Sequence, residues 1–299
     1  MGKLLICDPV AESAVAAIRA AGIEVEVRDD ITLEELENII GDYEGMVVRS
    51  RTKVREPIIA KATNLKVIIR GGVGLDSIDV AYAQDKGIDV RNTPTASSNA
   101  VAELAIGMMF ALARHISQAD ASMKAGRWDK KKLKGTEIAG KTLGVIGYGR
   151  IGRKLGEIAR ALGMTVIAYD PYVKHADIVS LEDLLKAADY ISLHLPHTAE
   201  THNLVGAEQL ALMKPTACVI QASRGGTVDE TALYEALAND KLAGAGLDVY
   251  TEEPPKSDIL QKLIALPNVV ASPHIGAATK EAQGRIGDEI VALAKEYFK

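Results

Sequence analysis

Cysteine is nearly absent: two in 299 residues, Cys7 and Cys218, each inside an apolar run (LLIC and ACVI). So few exclude a disulfide scaffold. Both read as buried thiols of a reducing compartment, without the basic neighbour or helix start that activates a nucleophile. Positive charge is not in excess either. The net charge is −5 and the pI about 5.8, which gives no electrostatic basis for binding nucleic acid or an anionic membrane. The run Lys130, Lys131, Lys132 and Lys134 is a local exception and reads as solvated surface, with a phosphate-facing role as the alternative. No stretch approaches the roughly 18 apolar residues of a membrane span. The opening MGKLLICDP has one lysine and too short an apolar run for a signal peptide. The expectation is a cytoplasmic protein with no membrane or nucleic-acid partner.

What is present is an ordinary globular composition, 47% hydrophobic and 25% charged, in a chain long enough for two domains. Short apolar runs rich in Val and Ile alternate with amphipathic helical patterns. Strands are expected at 4–8, 24–28, 45–50, 65–70 and 88–92, with helices such as 10–21 and 33–40 among them. The Pro/Thr/Ser-rich NTPTASS around Pro94 looks like a boundary. One long helix dense in Ala and Met is expected over 100–125. A second series follows, with strands at 142–147, 164–170, 190–196, 217–222, 244–250 and 268–273 and a last helix over 277–297. Strands apolar on both faces and separated by helices argue for parallel sheets covered on each side, joined by right-handed crossovers. The fold class is therefore α/β, with two doubly wound units, 1–97 and 98–274.

LGVIGYGRIG places Gly147, Gly149 and Gly152 in a G-x-G-x-x-G pattern between a strand and a helix. The first glycine permits a tight turn, the second lets backbone approach a pyrophosphate, and the third lets helix and strand pack closely. The helix start adds amides and a positive dipole end. The next strand ends in AYD, so Asp170 can accept hydrogen bonds from the adenosine ribose and repel a 2′-phosphate. That favours NAD over NADP. A second glycine cluster, Gly71, Gly72 and Gly74 in IIRGGVGLDSID, offers consecutive amides as an anion nest, or simply a turn that needs positive φ.

Three ionisable groups stand at the exits of late strands: Arg224 after VIQAS, Glu253 after LDVYTE and His274 after VVASP. Ligands of open parallel sheets bind beyond the carboxyl ends of the strands, so these groups converge on one end of a bound dinucleotide. The motifs VRSRT (48–52), RGGVGLDSID (70–79), NTP (92–94), AVAELAIGMM (100–109), GVIGYGRIG (144–152), ASRGGTVDE (222–230), AGLDVYTEEPP (245–255) and SPHIGAAT (272–279) are collinear along the chain. On them the whole chain resembles the D-isomer-specific 2-hydroxyacid dehydrogenase family, and most of all its D-3-phosphoglycerate dehydrogenase branch.

The resemblance implies that His274 is the general base, that Glu253 orients its imidazole, and that Arg224 clamps the substrate carboxylate and C2 oxygen. It implies NAD contacts at Gly147, Tyr148, Gly149, Arg150, Ile151, Gly152, Asp170, Pro171, Leu195, Pro196, Thr201, Ala222, Ser223, Asp248, Gly276 and Ala277. It implies substrate contacts at Arg49, Ser50, Val73 and Gly74, and it assigns no metal site. His194 and His197 receive no chemistry and read as cleft-wall or surface residues. By the same resemblance the cofactor domain, 98–274, is inserted into a substrate domain made of 1–97 and 275–299. The apolar surplus of the 100–125 helix is expected to form a homodimer interface.

The basic residues Arg49, Arg51 and Lys53 lie where a substrate's distal group is expected, which favours 3-phosphoglycerate, with hydroxypyruvate or glyoxylate reduction as the alternative. An NAD-sensing corepressor-like binding protein is the alternative of another class. Two departures stand out. The connection 171–180 is shorter than usual in the family, and the sequence ends at Lys299, so no serine feedback site is expected.

Overall fold

A computed structural model describes residues 2–298, folded as two compact units, 2–97 with 277–298 and 98–276. The second boundary falls two residues beyond the expected 274/275 division. In the first unit the strands β1 (Lys3–Ile6), β2 (Glu24–Val27), β3 (Gly45–Val48), β4 (Val67–Arg70) and β5 (Asp89–Asn92) form one parallel sheet in the order β2-β1-β3-β4-β5. This is the flavodoxin-like doubly wound order, whose strand sequence reverses between β1 and β3. The helix Lys280–Tyr297 completes this unit: Ile286, Ile290 and Ala294 join Leu4, Ile6, Val47, Val67 and Ile69 in one core. Gly287 lets that helix close on the helix Glu12–Ala20, since a Cβ there would sit 3.0 Å from the Ala14 methyl.

The second unit carries β6 (Thr142–Ile146), β7 (Thr165–Tyr169), β8 (Tyr190–Leu193), β9 (Cys218–Gln221), β10 (Gly244–Leu247) and β11 (Val269–Ala271). They form a parallel sheet in the order β11-β10-β9-β8-β6-β7. Every residue of β8, β9 and β10 is buried, as helices on both faces require, and this produces their unbroken apolar runs. Beyond β7 the Rossmann pattern calls for a third strand. Here it is reduced to one bridge, Ala168 to Ile178, held by Ala168 N to Asp177 O at 2.8 Å and Val179 N to Ala168 O at 2.9 Å. The connection 171–180 forms no strand of its own between β7 and the helix Leu181–Ala187.

The 100–125 region corrects the expectation of one long helix. It is two helices, Ser98–Ala113 and Ile116–Lys124, bent by 64° about His115, which takes a left-handed φ of 52°. The chain returning at Gly135 causes the stop. The Thr136 amide takes the Ala113 carbonyl at 2.8 Å, and a Cβ at Gly135 would lie 2.3 Å from that oxygen. The apolar surplus is core as well. Ala102, Ala105, Met108 and Met109 are buried against the sheet and the helix Arg150–Ala161, and Gly246 leaves room for Met108. That surplus therefore gives no support to a dimer interface on this helix. Among the described residues no single helix is long and apolar enough to cross a membrane.

Candidate dinucleotide and catalytic site

The glycine loop leaves β6 as its spacing demands. Gly147 has φ +92°, and a Cβ on it would lie 2.5 Å from the His194 carbonyl oxygen, while one on Gly152 would lie 2.2 Å from the Gly147 oxygen. Only hydrogen fits at either place. Gly149 differs, because a Cβ there meets nothing within 4 Å. It is the N-cap of the helix Arg150–Ala161 and offers no side chain to the first-turn amides of Arg150, Ile151 and Gly152, and no acidic residue stands in that turn. An open approach to free amides at a positive dipole end is what a pyrophosphate needs, so the residues fit a dinucleotide.

Asp170, at the exit of β7, accepts from the Tyr148 amide through Oδ2 and from the Tyr172 amide through Oδ1, each at 2.9 Å. Each oxygen keeps a second lone pair for a ribose hydroxyl. Pro171 follows it, exposed. Tyr148 is held at each of its polar groups. Its amide goes to Asp170, its carbonyl accepts from Arg153 Nε at 3.0 Å, and its buried hydroxyl donates to Asp177 at 2.6 Å. All three polar groups have partners within this unit, so the residue braces the loop against Asp170 and the 171–180 segment.

Leu195 and Pro196 follow β8, and Thr201 closes their turn by donating to Pro196 O at 2.7 Å and accepting from Thr198 N at 2.7 Å. His194, given no chemistry above, turns inward. Its Nε2 meets Ser192 Oγ at 2.8 Å, its buried Nδ1 has no hydrogen-bond partner, and burial lowers its pKa to about 4. In the unfolded chain a histidine titrates near 6.5. Between those values the unfolded state takes up a proton that the folded state refuses, so stability falls as pH drops, by up to about 3 kcal/mol. Melting temperatures measured from pH 7 to pH 4 are expected to show this slope and to lose most of it in His194→Gln; an unchanged slope refutes the assignment.

The three ionisable groups come from successive strand exits of this one unit. After β9, buried Ala222 and Ser223 lead to Arg224, and Gln221 braces the turn through Nε2 to Arg224 O at 3.0 Å and to Thr227 Oγ1 at 2.5 Å. The two glycines that follow are dictated by contact. A Cβ on Gly225 would lie 1.9 Å from the Tyr250 carbonyl oxygen, and Gly226, at φ +79°, would meet His197 Nε2 at 2.9 Å. The turn is thereby pressed onto the chain leading to Glu253. Glu253 Oε2 lies 2.7 Å from His274 Nδ1, and Oε1 accepts from the Tyr250 amide at 3.2 Å. Burial raises the Glu253 pKa, but the His274 hydrogen bond and charge, the Tyr250 amide and the Arg224 charge outweigh it and hold the carboxyl below its usual value. With Nδ1 on Glu253, the opposite nitrogen of His274 is the one left to exchange a proton.

His274 itself has a left-handed φ of 53°. Asp248, 1% exposed, holds both sides of it, accepting from Ser272 Oγ at 2.5 Å and from the Ile275 and Gly276 amides at 2.8 Å each. Its carboxylate serves the histidine turn, a role its place in a motif gave no sign of. Gly276 closes the second unit, and Ala277 opens the returning segment of the first.

In the first unit the basic trio after β3 divides. Arg51 is a buried-carboxylate partner: Nε meets Asp8 at 3.0 Å, and its other donors go to the Ile31 and Cys7 carbonyls. Lys53 donates to Ser50 O at 3.0 Å. Arg51 is thus tied to the β1 exit and the turn at Ile31, and Lys53 to its own loop. The Arg49 guanidinium is set by Gly71 O and Pro9 O at 3.3 Å and Gln283 Oε1 at 2.6 Å. Sequence reasoning missed Arg70, which donates to Ser50 Oγ at 3.1 Å and folds over Gly72, where a Cβ would lie 1.3 Å from its Nη1. The arginine stood in view in RGGVG, ahead of the glycines that drew attention. Asn92 Nδ2 donates to Val73 O at 2.5 Å and fixes the backbone running on to Gly74.

A family model, "D-isomer specific 2-hydroxyacid dehydrogenase, NAD binding domain", matches residues 106–276. The chain belongs to the D-isomer-specific 2-hydroxyacid dehydrogenase family. It is similar to a D-3-phosphoglycerate dehydrogenase of Methanocaldococcus jannaschii, 48% identical over all of this chain and 58% of that protein. It is also similar to a hydroxypyruvate reductase of Thermotoga maritima, 50% identical over 90% of this chain and 89% of that one. Among solved structures, a D-lactate dehydrogenase from Aquifex aeolicus complexed with NAD and lactic acid superposes with a TM-score of 0.87 at 32% identity, covering 99% of this chain and 95% of that chain. The chain spans less than two thirds of the phosphoglycerate dehydrogenase it matches. The matched segment carries the family's NAD-binding domain and with it the glycine loop, Asp170, Arg224, Glu253 and His274.

Proposed function

We propose that this protein interconverts a D-2-hydroxy acid and its 2-oxo acid, with 3-phosphoglycerate as the substrate. NAD, when bound, supplies the hydride acceptor. His274 takes the C2 hydroxyl proton, Glu253 fixes its tautomer and balances the imidazolium that forms, and Arg224 holds the carboxylate and the C2 oxygen through its planar fork. The observation that carries this reading is the 2.7 Å contact between His274 and Glu253, with the Arg224 charge near enough to act on the same carboxylate. An acid–base pair with an adjoining guanidinium is chemistry for a 2-hydroxy acid and exceeds what a coenzyme-sensing module requires.

Arg49 and Arg70 support a phosphorylated substrate, since both guanidiniums reach the Gly71 carbonyl and two such cations on one loop suit a dianion. The near full-length similarity to a hydroxypyruvate reductase favours a second reading, reduction of hydroxypyruvate. Steady-state rates with 3-phosphoglycerate, hydroxypyruvate, glyoxylate and phenylpyruvate separate the two. On the first reading Arg49→Ala raises KM for 3-phosphoglycerate by about tenfold or more, the scale of one lost charge-assisted contact, and barely moves KM for hydroxypyruvate. An unchanged KM for 3-phosphoglycerate sinks it.

A further inference from the structure

The missing third strand of the second unit poses a mechanical question, because the segment 171–180 lies beside the Asp170 turn with a single bridge to hold it. The side chains answer it. The Tyr148 hydroxyl, inside the glycine loop, donates to Asp177 Oδ2 at 2.6 Å. Arg160, near the end of the helix that the loop opens, pairs with the same oxygen and reaches the Tyr148 hydroxyl at 3.4 Å. Gly156 makes the space, for a Cβ there would press on that hydroxyl at 3.3 Å and on Arg160 Nη1 at 3.4 Å. His175 packs edge-on to the Tyr148 ring at 5.2 Å, and its Nδ1 accepts from the Asp177 amide at 3.3 Å. The backbone of Asp177 meanwhile makes the bridge itself, through its carbonyl to Ala168 N. One residue thus ties the edge strand β7, the glycine loop and the helix Arg150–Ala161 together.

We propose that Tyr148 and Asp177 are positioning residues that hold the 171–180 segment in place of the absent strand and so fix the adenosine end of the dinucleotide site. The inference rests on the NAD reading above. Burial opposes the Asp177 charge, but the Tyr148 and Arg160 hydrogen bonds prevail and keep the carboxyl below its usual value, so it accepts as a carboxylate at neutral pH. It also links the two ligand-facing parts directly, because the Tyr148 amide is a partner of Asp170.

The test is titration of the full chain with NADH and with ADP-ribose, which lacks nicotinamide and needs no turnover. Asp177→Asn is expected to weaken ADP-ribose about tenfold, the scale of a charge-assisted hydrogen bond. KM for NAD should follow while kcat at saturating NAD falls less than twofold. Tyr148→Phe, which deletes a single oxygen and carries the test if Asp177→Asn fails to fold, gives a loss within about twofold of that. The double variant binds no worse than the weaker single one, because both act through one bond. Folded variants with wild-type ADP-ribose affinity, or a loss confined to kcat, overturn the proposal. A wild-type chain that binds neither NADH nor ADP-ribose overturns the NAD reading as well, which tells the two failures apart.

Discussion

Replacing His274 with asparagine lowers kcat by about 10² to 10⁴-fold, the range that a positioned acid–base group contributes, while NADH affinity changes by no more than a few-fold. Asparagine is the informative choice because the backbone at this position has φ 53°. Asparagine and aspartate enter the left-handed region more readily than other non-glycine residues. The turn therefore survives and the loss reports the imidazole alone. Alanine removes the ring and strains the turn together, so the difference between the two variants measures the backbone's share. Glu253→Gln keeps an acceptor for Nδ1 and deletes the charge, so it should lose less than His274→Asn and should lose most in the oxidation direction, where positive charge builds on the ring. Single-turnover rates with saturating NAD read these differences. If His274→Asn turns over substrate at the wild-type rate, the proton passes elsewhere and the roles of Glu253 and Arg224 go with it.

The central strands were legible because helices cover both sheet faces and leave an apolar run, whereas the edge strands β2 (EVEV) and β5 (DVRN) carry none. The runs overshot at their carboxyl ends for a physical reason. Beyond Val48, Gln221 and Leu247 the chain stays buried or half-buried as it turns to present Arg49, Ser223 and Asp248, so polarity does not mark the strand's end. The glycine loop was legible residue by residue, since Gly147 and Gly152 are demanded by contacts only a few residues or one strand away. The break at His115 was not, because it depends on Gly135 and Thr136 returning over Ala113 from twenty residues downstream. The hydrogen-bond partners of Tyr148 and Asp248 within the protein were not legible for the same cause. A motif records that a residue sits at a site, while the direction of its hydrogen bonds is settled by what folds against it.

Asp248 accordingly makes the sharpest claim about how the histidine is held. Its carboxylate is buried and accepts from Ser272 Oγ, Ile275 N and Gly276 N, one donor before His274 and two after. A Cβ on Gly276 would already lie 3.1 Å from Oδ2, so the backbone has been brought as near as glycine allows. Asp248→Ala strips three donors, one buried and two partly buried, of their acceptor. At about 1–3 kcal/mol for each unsatisfied group, partly relieved by water at this half-open loop, a net loss of about 3 kcal/mol is expected. That corresponds to a melting temperature lower by about 6–12 °C for a unit of this size. The rate should fall too, by about a hundredfold, because a non-glycine left-handed residue relaxes once its clamp is gone and carries the imidazole off its line. Asp248→Asn separates the two effects. Its amide oxygen can still accept from Ser272 and Ile275, whereas its NH2 opposes the Gly276 amide. Stability should recover by more than half while kcat stays at least tenfold down. Thermal melts and kcat measured on both variants check this. An Asp248→Ala protein melting within 2 °C of wild type would remove the clamp from the account of the site.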